Sequence, residues 1–189
     1  YGTSTSIAVI PHFHFKMADL SSLSKLLAQS TSHQLGDRRS KKVLKISFLA
    51  AVLEVDGPIA INIKRGPDRG NAVSLVKLIV ADGDKGTILP LTAWRETADV
   101  MTGLNEVECP GIKRGDVVVF HNVLYCDEPP DPQSLVASPK LKSSHQVCYR
   151  TLPTVESDKR VTPDLRLGSE DFAVQRVAEI ARWLTTSLG

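Results

Sequence analysis

The 189-residue sequence predicts a mainly β fold: a five-stranded Greek-key barrel with a helix between its third and fourth strands and an amphipathic helix at its C-terminal end. Three observations point there. Between Val43 and Leu152, runs rich in β-branched residues alternate with glycine, proline and aspartate turn signals. The stretch Arg95 to Leu104 lacks proline and sets Ala98, Met101 and Leu104 on one helical face. Past Val155, apolar residues recur at the spacing of a helix rather than of a strand.

From the start of the chain, Ile7, Val9, Phe13 and Phe15 alternate as one face of a short strand. Asp19 to Ala28 places Leu20, Leu23, Leu26 and Leu27 at helical spacing. Thr31 to Lys42 is polar, carries Gly36, ends in a basic cluster from Arg38, and reads as a linker. The first barrel strand runs from Val43, is bent at Asp56-Gly57-Pro58, and resumes through Ile59, Ile61 and Ile63. A basic, glycine-containing loop from Lys64 to Gly70 precedes the second strand, Val73 to Ala81. The turn Asp82 to Gly86 leads to the third, Thr87 to Trp94. After the helix, Gly115-Asp116 opens the fourth, Val117 to Cys126. Asp127 to Pro139, with four prolines, reads as a long loop, and Ser144 to Leu152 as the last strand. At the C-terminal end, Ser169 is the expected N-cap, with Glu170 and Asp171 in the first turn. Ala173, Val177, Ile180, Leu184 and Leu188 form the apolar stripe, and Gly189 fits a C-terminal cap.

Strand-strand-strand-helix-strand-strand is the order of an OB-fold, and a long first strand that bends midway can serve both sheets of such a barrel. The expected division is residues 1–42 as an N-terminal docking segment and basic linker, 43–154 as the barrel domain, and 155–189 as a C-terminal linker and helix.

Composition narrows the function. With 42% apolar residues and a mean hydropathy of −0.07, a sizeable core is expected. No apolar run approaches the roughly eighteen residues a membrane span needs, so no membrane partner is expected. The chain begins at Tyr1, as a fragment or a processed chain would, and Thr3 to Ile10 is too short for the core of a signal peptide. Net charge is +2, so any electrostatic footprint must be local. Three cysteines, Cys109, Cys126 and Cys148, make no metal-binding or paired spacing and suit a reducing compartment, cytosol or nucleus.

Thr92-Ala93-Trp94-Arg95-Glu96 followed by a helix, then Lys113-Arg114-Gly115-Asp116-Val117-Val118-Val119-Phe120, resembles the replication protein A class of OB domains. A closer resemblance covers about Leu49 to Val123. Leu49-Ala50-Ala51-Val52-Leu53, Ile63-Lys64-Arg65-Gly66-Pro67, Gly70 and Val73 to Asp82 resemble the first C-terminal OB domain of the shieldin complex subunit 2 family. Leu91 to Arg95 and the Gly115-Asp116 strand continue it. Residues before Lys42 and after Leu152 do not align with that family, and its further OB domains have no counterpart here. The resemblance implies a nuclear, non-enzymatic factor of double-strand-break repair that binds single-stranded DNA, protects ends, and joins at least one protein subunit of a repair complex.

OB domains hold single strands with a basic groove and aromatic platforms, each stacked base contributing roughly 1–3 kcal/mol. Lys64, Arg65 and Arg69 lie on the loop between the first two strands. Lys140 and Lys142, with Arg150, flank the loop before the last strand, and loops at these places line the usual cleft. Lys64, Arg65, Arg69, Lys140 and Lys142 are the expected phosphate contacts. Aromatics total only 5% of the chain. Trp94, at a strand end, is expected in the core; Tyr149 and Tyr125 are the expected stacking candidates, ahead of Phe48 and Phe120.

No catalytic constellation stands at a recognisable spacing, and the Gly66 to Gly70 loop lacks the Lys-Ser/Thr of a phosphate-binding loop. His12 and His14 supply two potential metal ligands without a third, so neither a metal nor another cofactor is expected. The competing expectation is a protein-interaction subunit of a replication protein A-like or telomere-capping complex with little direct DNA binding. Phe13, Phe15, Leu20, Leu23 and Leu27 would then dock as a strand or helix. Val177, Ile180 and Leu184 would meet a partner's helix, including that of a second copy, unless the chain's own barrel covers them.

Overall fold

The computed structural model describes residues 8–33, 42–84, 86–104, 110–128 and 131–188. Ile7, Cys109, Gly189 and the linker residues 34–41 lie outside the described residues. The elements are α1 (Leu23–His33), β1 (Lys42–Asn62), β2 (Ala72–Ala81), β3 (Ile88–Trp94), α2 (Glu96–Thr102), β4 (Asp116–Asp127), β5 (Ser134–Ala137), β6 (Ser144–Arg150) and α3 (Phe172–Leu188).

Five strands close a ring in the order β1-β2-β3-β5-β4, with β4 pairing back onto β1. β1 makes the closure possible. Its first half, Lys42 to Ala51, pairs with β4, and from Ala51 to Asn62 it pairs with β2. The expected bend is there: the register shifts between Asp56 and Ile59. Gly57 occupies the bend at φ +120°, where a Cβ would stand 2.9 Å from the Leu75 carbonyl oxygen. This is an OB-fold, reached from the element order the sequence carries.

The proline-rich segment before Pro139 is more than a loop. Within it, Ser134–Ala137 forms β5, which pairs parallel with β3 and antiparallel with β4 and so completes the ring. Residues 138–143 then bulge out before β6 resumes along β4. The last strand is one track on β4 interrupted in the middle, and four residues were too few to show a period.

Inside the ring, Phe48 and Phe120 face each other across the β1–β4 ladder with ring centroids 5.1 Å apart, among Leu78, Leu91, Val118 and Tyr125. Helices stop both mouths. Ala98 and Met101 of α2 enter the core at the end where β3 finishes; Gly103, at φ +76°, ends that helix and leaves Leu104 exposed, off the face expected for it. Leu23 and Leu26 of α1 enter the same core, and the Asp82 carboxylate after β2 accepts the Ser24 N–H at 3.0 Å, capping α1 from another part of the chain. Leu20 precedes that helix, and residues 8–15 run without strand pairing, although Phe13 and Phe15 stack at 5.7 Å.

A second apolar layer lies outside the barrel. Val177, Ile180 and Leu184 of α3 are at most 1% exposed, packed on Leu49, Val117 and Val119 of β1 and β4. Asp171, not Ser169, caps α3: its carboxylate accepts the Ala173 N–H at 2.7 Å, and the helix starts two residues later than expected. Among the described residues no helix is long and apolar enough to cross a membrane.

Candidate nucleic-acid interface

Pleating decides which side chains the barrel shows to solvent. On β3, Leu89, Leu91 and Ala93 point inward, so Ile88, Pro90, Thr92 and Trp94 point outward. On β2, Val76, Leu78 and Val80 are the inward set, and Leu75, Lys77 and Ile79 the outward one. The outer apolar layer under α3 draws on β1, β4 and β6, and no residue of β2, β3 or β5 belongs to it. The outer faces of these three strands therefore lie clear of that helix.

Register aligns this face in rows. Lys77 pairs with Thr92, Thr92 with Val136, Val136 with Leu124, and Leu124 with Lys45. Exposed lysines thus stand at both ends of a five-residue row that runs round the ring, with Lys77, Thr92 and Val136 on the open face and Leu124 and Lys45 beyond it. A second row, Ile59–Leu75–Trp94, lies beside it toward the end where β3 finishes. Trp94 is half-buried and belongs to neither core layer, contrary to the expectation that it packs inside.

Both basic loops leave the barrel at that same end. Leu75 is level with Trp94, and Ala137 with Ala93, so residues 63–71 and 138–143 emerge on either side of the end of β3. Their roots are two strand spacings apart, roughly 10 Å. Lys64, Arg65, Arg69, Lys140 and Lys142 are all exposed. The first loop is held by its own backbone, Arg69 N–H to Gly66 C=O at 3.2 Å and Gly70 N–H to Ile63 C=O at 2.8 Å. Open space surrounds Gly66 and Gly70, at φ +88° and +91°. In the second loop Lys142 is left-handed at φ +55°, and its carbonyl accepts the Asn122 side-chain N–H at 3.1 Å. Asn122 is itself left-handed at φ +56°. Between the loops, Arg95 directs its guanidinium to Asp68 at 2.5 Å.

Several expected site residues stand elsewhere. Arg150 is no groove residue: it is 2% exposed and bound to Asp116 and Asp158. Tyr125, Phe48 and Phe120 are fully buried inside the ring, closed to any base. Tyr149 is half-buried in the layer beneath α3, away from the open face. Of the expected docking residues, Leu23 is in the core with Leu27 against it; Phe13, Phe15 and Leu20 pack on the α3 layer, as do Val177, Ile180 and Leu184. The chain's own barrel takes up these surfaces. His12 and His14 meet edge to face at 4.7 Å, and no group of three metal-binding side chains occurs among the described residues.

Lys77, Thr92 and Trp94 are the residues of this open face that motif reading missed. The signal was alternation: a lysine between Val76 and Leu78 must point away from the core, and the same parity on β3 turns Trp94 outward once Leu91 and Ala93 are assigned inward.

No family model and no curated protein matches the chain. Among solved structures it is similar to a replication protein A heterotrimer bound to single-stranded DNA, at 11% identity and a TM-score of 0.40, over 59% of this chain and 24% of that one. The chain thus spans about a quarter of that protein's matched chain. It is also similar to an OB domain from Thermoplasma acidophilum, at 11% identity and a TM-score of 0.36, over 59% and 82% of the two chains. An SSB domain from Synechococcus sp. matches at 12% identity and a TM-score of 0.29, over 55% and 92%.

Proposed function

We propose that the open face of β2, β3 and β5 binds single-stranded DNA and that the domain acts as a non-enzymatic scaffold in a nuclear end-protection complex of the shieldin kind. The observation that carries the DNA reading is the meeting of Trp94, Lys77 and both basic loops on the one barrel face clear of α3. A strand crossing the β-strands would meet an indole for stacking, lysines for phosphate, and loop cations at its edge. One tryptophan is a small platform, so backbone contacts would dominate and sequence preference would be weak. The place in a repair complex is supported by the resemblance over Leu49 to Val123.

Fluorescence anisotropy with a labelled oligothymidine across a salt series tests the DNA reading. Affinity should fall steeply with salt, and the double substitution Arg65→Glu, Arg69→Glu should weaken it and flatten the slope. Absence of binding at low salt would sink the reading. The same face, with Ile88 53% and Ile59 37% exposed, would then be a protein-docking surface.

A further inference from the structure

Asp68 is the one acidic residue in the stretch Lys64-Arg65-Gly66-Pro67-Asp68-Arg69, and its carboxylate is spent on Arg95. The contact is one-point, Nη2 to Oδ2 at 2.5 Å, and both side chains are open to water, 37% and 42% exposed. No other described side chain contributes to it. Arg95 therefore keeps further guanidinium donors uncommitted while its charge is neutralised in place.

The backbone under Arg95 is unusual. Its φ is +58° with ψ −137°, a region that residues with a Cβ rarely adopt. The conformation is held from both sides: Arg95 N–H donates to the Ser74 carbonyl at 2.7 Å, and its carbonyl accepts the Asp99 N–H at 3.1 Å. Residues held this way concentrate where position serves function. Arg95 follows Trp94 directly and stands between the two basic loops. A carboxylate oxygen on a guanidinium occupies the place that a phosphate oxygen would take.

Resting on the DNA reading above, we infer that Arg95 is a phosphate-contacting residue and that Asp68 is its built-in competitor. In the free protein Asp68 screens Arg95 and pins the basic loop to the barrel. When a strand arrives, a phosphate oxygen replaces the Asp68 oxygen on Arg95, and the loop, released, turns Lys64, Arg65 and Arg69 to neighbouring phosphates. An exposed one-point ion pair is weak enough to exchange in this way, and no covalent step is involved.

Four proteins test it by anisotropy with labelled oligothymidine over a salt series: wild type, Asp68→Asn, Arg95→Gln and the double variant, each first shown to melt at the wild-type temperature. Asp68→Asn should bind about three- to tenfold tighter at low salt with a similar log–log salt slope, because Arg95 reaches the same phosphate in both proteins. Arg95→Gln should weaken binding, and in the double variant the gain from Asp68→Asn should vanish. If Asp68→Asn binds no tighter than wild type, the pair is only a brace that positions the loop, and the inference fails. It fails equally if the gain survives Arg95→Gln, because removing a negative charge anywhere nearby would then explain it. If none of the four binds at low salt, the DNA reading falls along with it, an outcome distinct from wild-type binding without a gain.

Discussion

Arg150 and Asp116 form a two-point ion pair inside the protein: the arginine Nε and Nη2 each donate to one carboxylate oxygen at 2.8 Å, and neither side chain is more than 1% exposed. Nη2 also donates to the Gly111 carbonyl at 2.7 Å, and Nη1 to Asp158, in the 3-10 turn Glu156–Val161. Asp158 in turn accepts the Thr154 and Val155 N–H groups and the Lys113 ammonium. One guanidinium thus joins the start of β4, the end of β6 and the approach to α3. Replacing it leaves the Asp116 carboxylate buried without a cation and Asp158 with Lys113 alone. Arg150→Met should cost about 3–5 kcal/mol, and Arg150→Lys should recover little, because an ammonium lacks the planar fork. Urea unfolding measures both; a loss below about 1 kcal/mol would mean the pair is no stronger than a surface one.

The α3 stripe belongs to the fold. Ile180→Ala should cost about 2–5 kcal/mol, since Ile180 is 1% exposed between the helix and the barrel. Phe172→Ala, at a site 76% exposed, should change stability by no more than about 0.5 kcal/mol. Ending the chain at Thr154 removes both α3 and Asp158, so cooperative unfolding should be lost. Light scattering that instead found a folded monomer in place of a dimer would make α3 an assembly element.

Asp82 ties α1 to the barrel and should be detected separately. Asp82→Ala removes the acceptor for the Ser24 N–H and should cost about 0.5–2 kcal/mol. The loss should concentrate in α1, read as faster amide exchange at Leu26 and Leu27 than in β4. Uniform loss across the barrel would mean α1 does not open by itself.

The barrel was legible because its order of elements was. Long β-branched runs, a proline-free stretch after Trp94 and glycine at Gly115 each carry a local signal, and these signals agreed with one topology. The site was half legible. Loop cations show by composition and location, and the structure places Lys64, Arg65, Arg69, Lys140 and Lys142 exposed at one end of the barrel. Facing is relational: Trp94 and Tyr149 both sit on strands, and only the packing of α3 on β1, β4 and β6 decides which of them is covered. Arg150 misled for the same reason, since a strand-end arginine reads as basic surface until Asp116 and Asp158 are brought to it from 34 residues before and 8 after.

Acid should lower the protein's stability in two stages. Burial pushes the His145 imidazole down to about 4 from its ordinary 6.5, although a hydrogen bond with the Pro110 carbonyl opposes the shift. A histidine depressed in the fold binds fewer protons than in the unfolded chain between those values, so stability falls as pH drops from 6.5 toward 4. The loss is up to about 3 kcal/mol. Asp158 is held well below the carboxylate range, first by the Thr154 N–H, then by the Val155 N–H, Arg150 and Lys113, against the opposing effect of burial. Its stabilisation is complete above the ordinary value and is lost as pH falls below it. His145→Gln should flatten the upper stage of a stability–pH curve and leave the lower one; an unchanged upper stage would refute the assignment.

Trp94 and Tyr149 make the decisive pair for the binding face, because they exchange the roles that sequence alone assigns them. Trp94 stands outside both apolar layers on the outer side of β3, in line with Leu75 and Ile59. Removing it should spare the fold and cost binding the stacking contribution, roughly 1–3 kcal/mol, or about a fivefold to hundredfold loss of affinity. Tyr149 packs beneath α3, so Tyr149→Ala should lower the unfolding midpoint while leaving DNA affinity within about twofold. Lys77→Glu, on the same face as Trp94, should weaken binding at low salt and matter progressively less as salt rises, since screening removes a charge effect and spares a stacking one. Anisotropy and urea unfolding on the three variants separate these outcomes. Affinity lost on Tyr149→Ala but kept on Trp94→Ala would move the strand to the side of the barrel where α3 lies, and that helix would have to leave before DNA could bind.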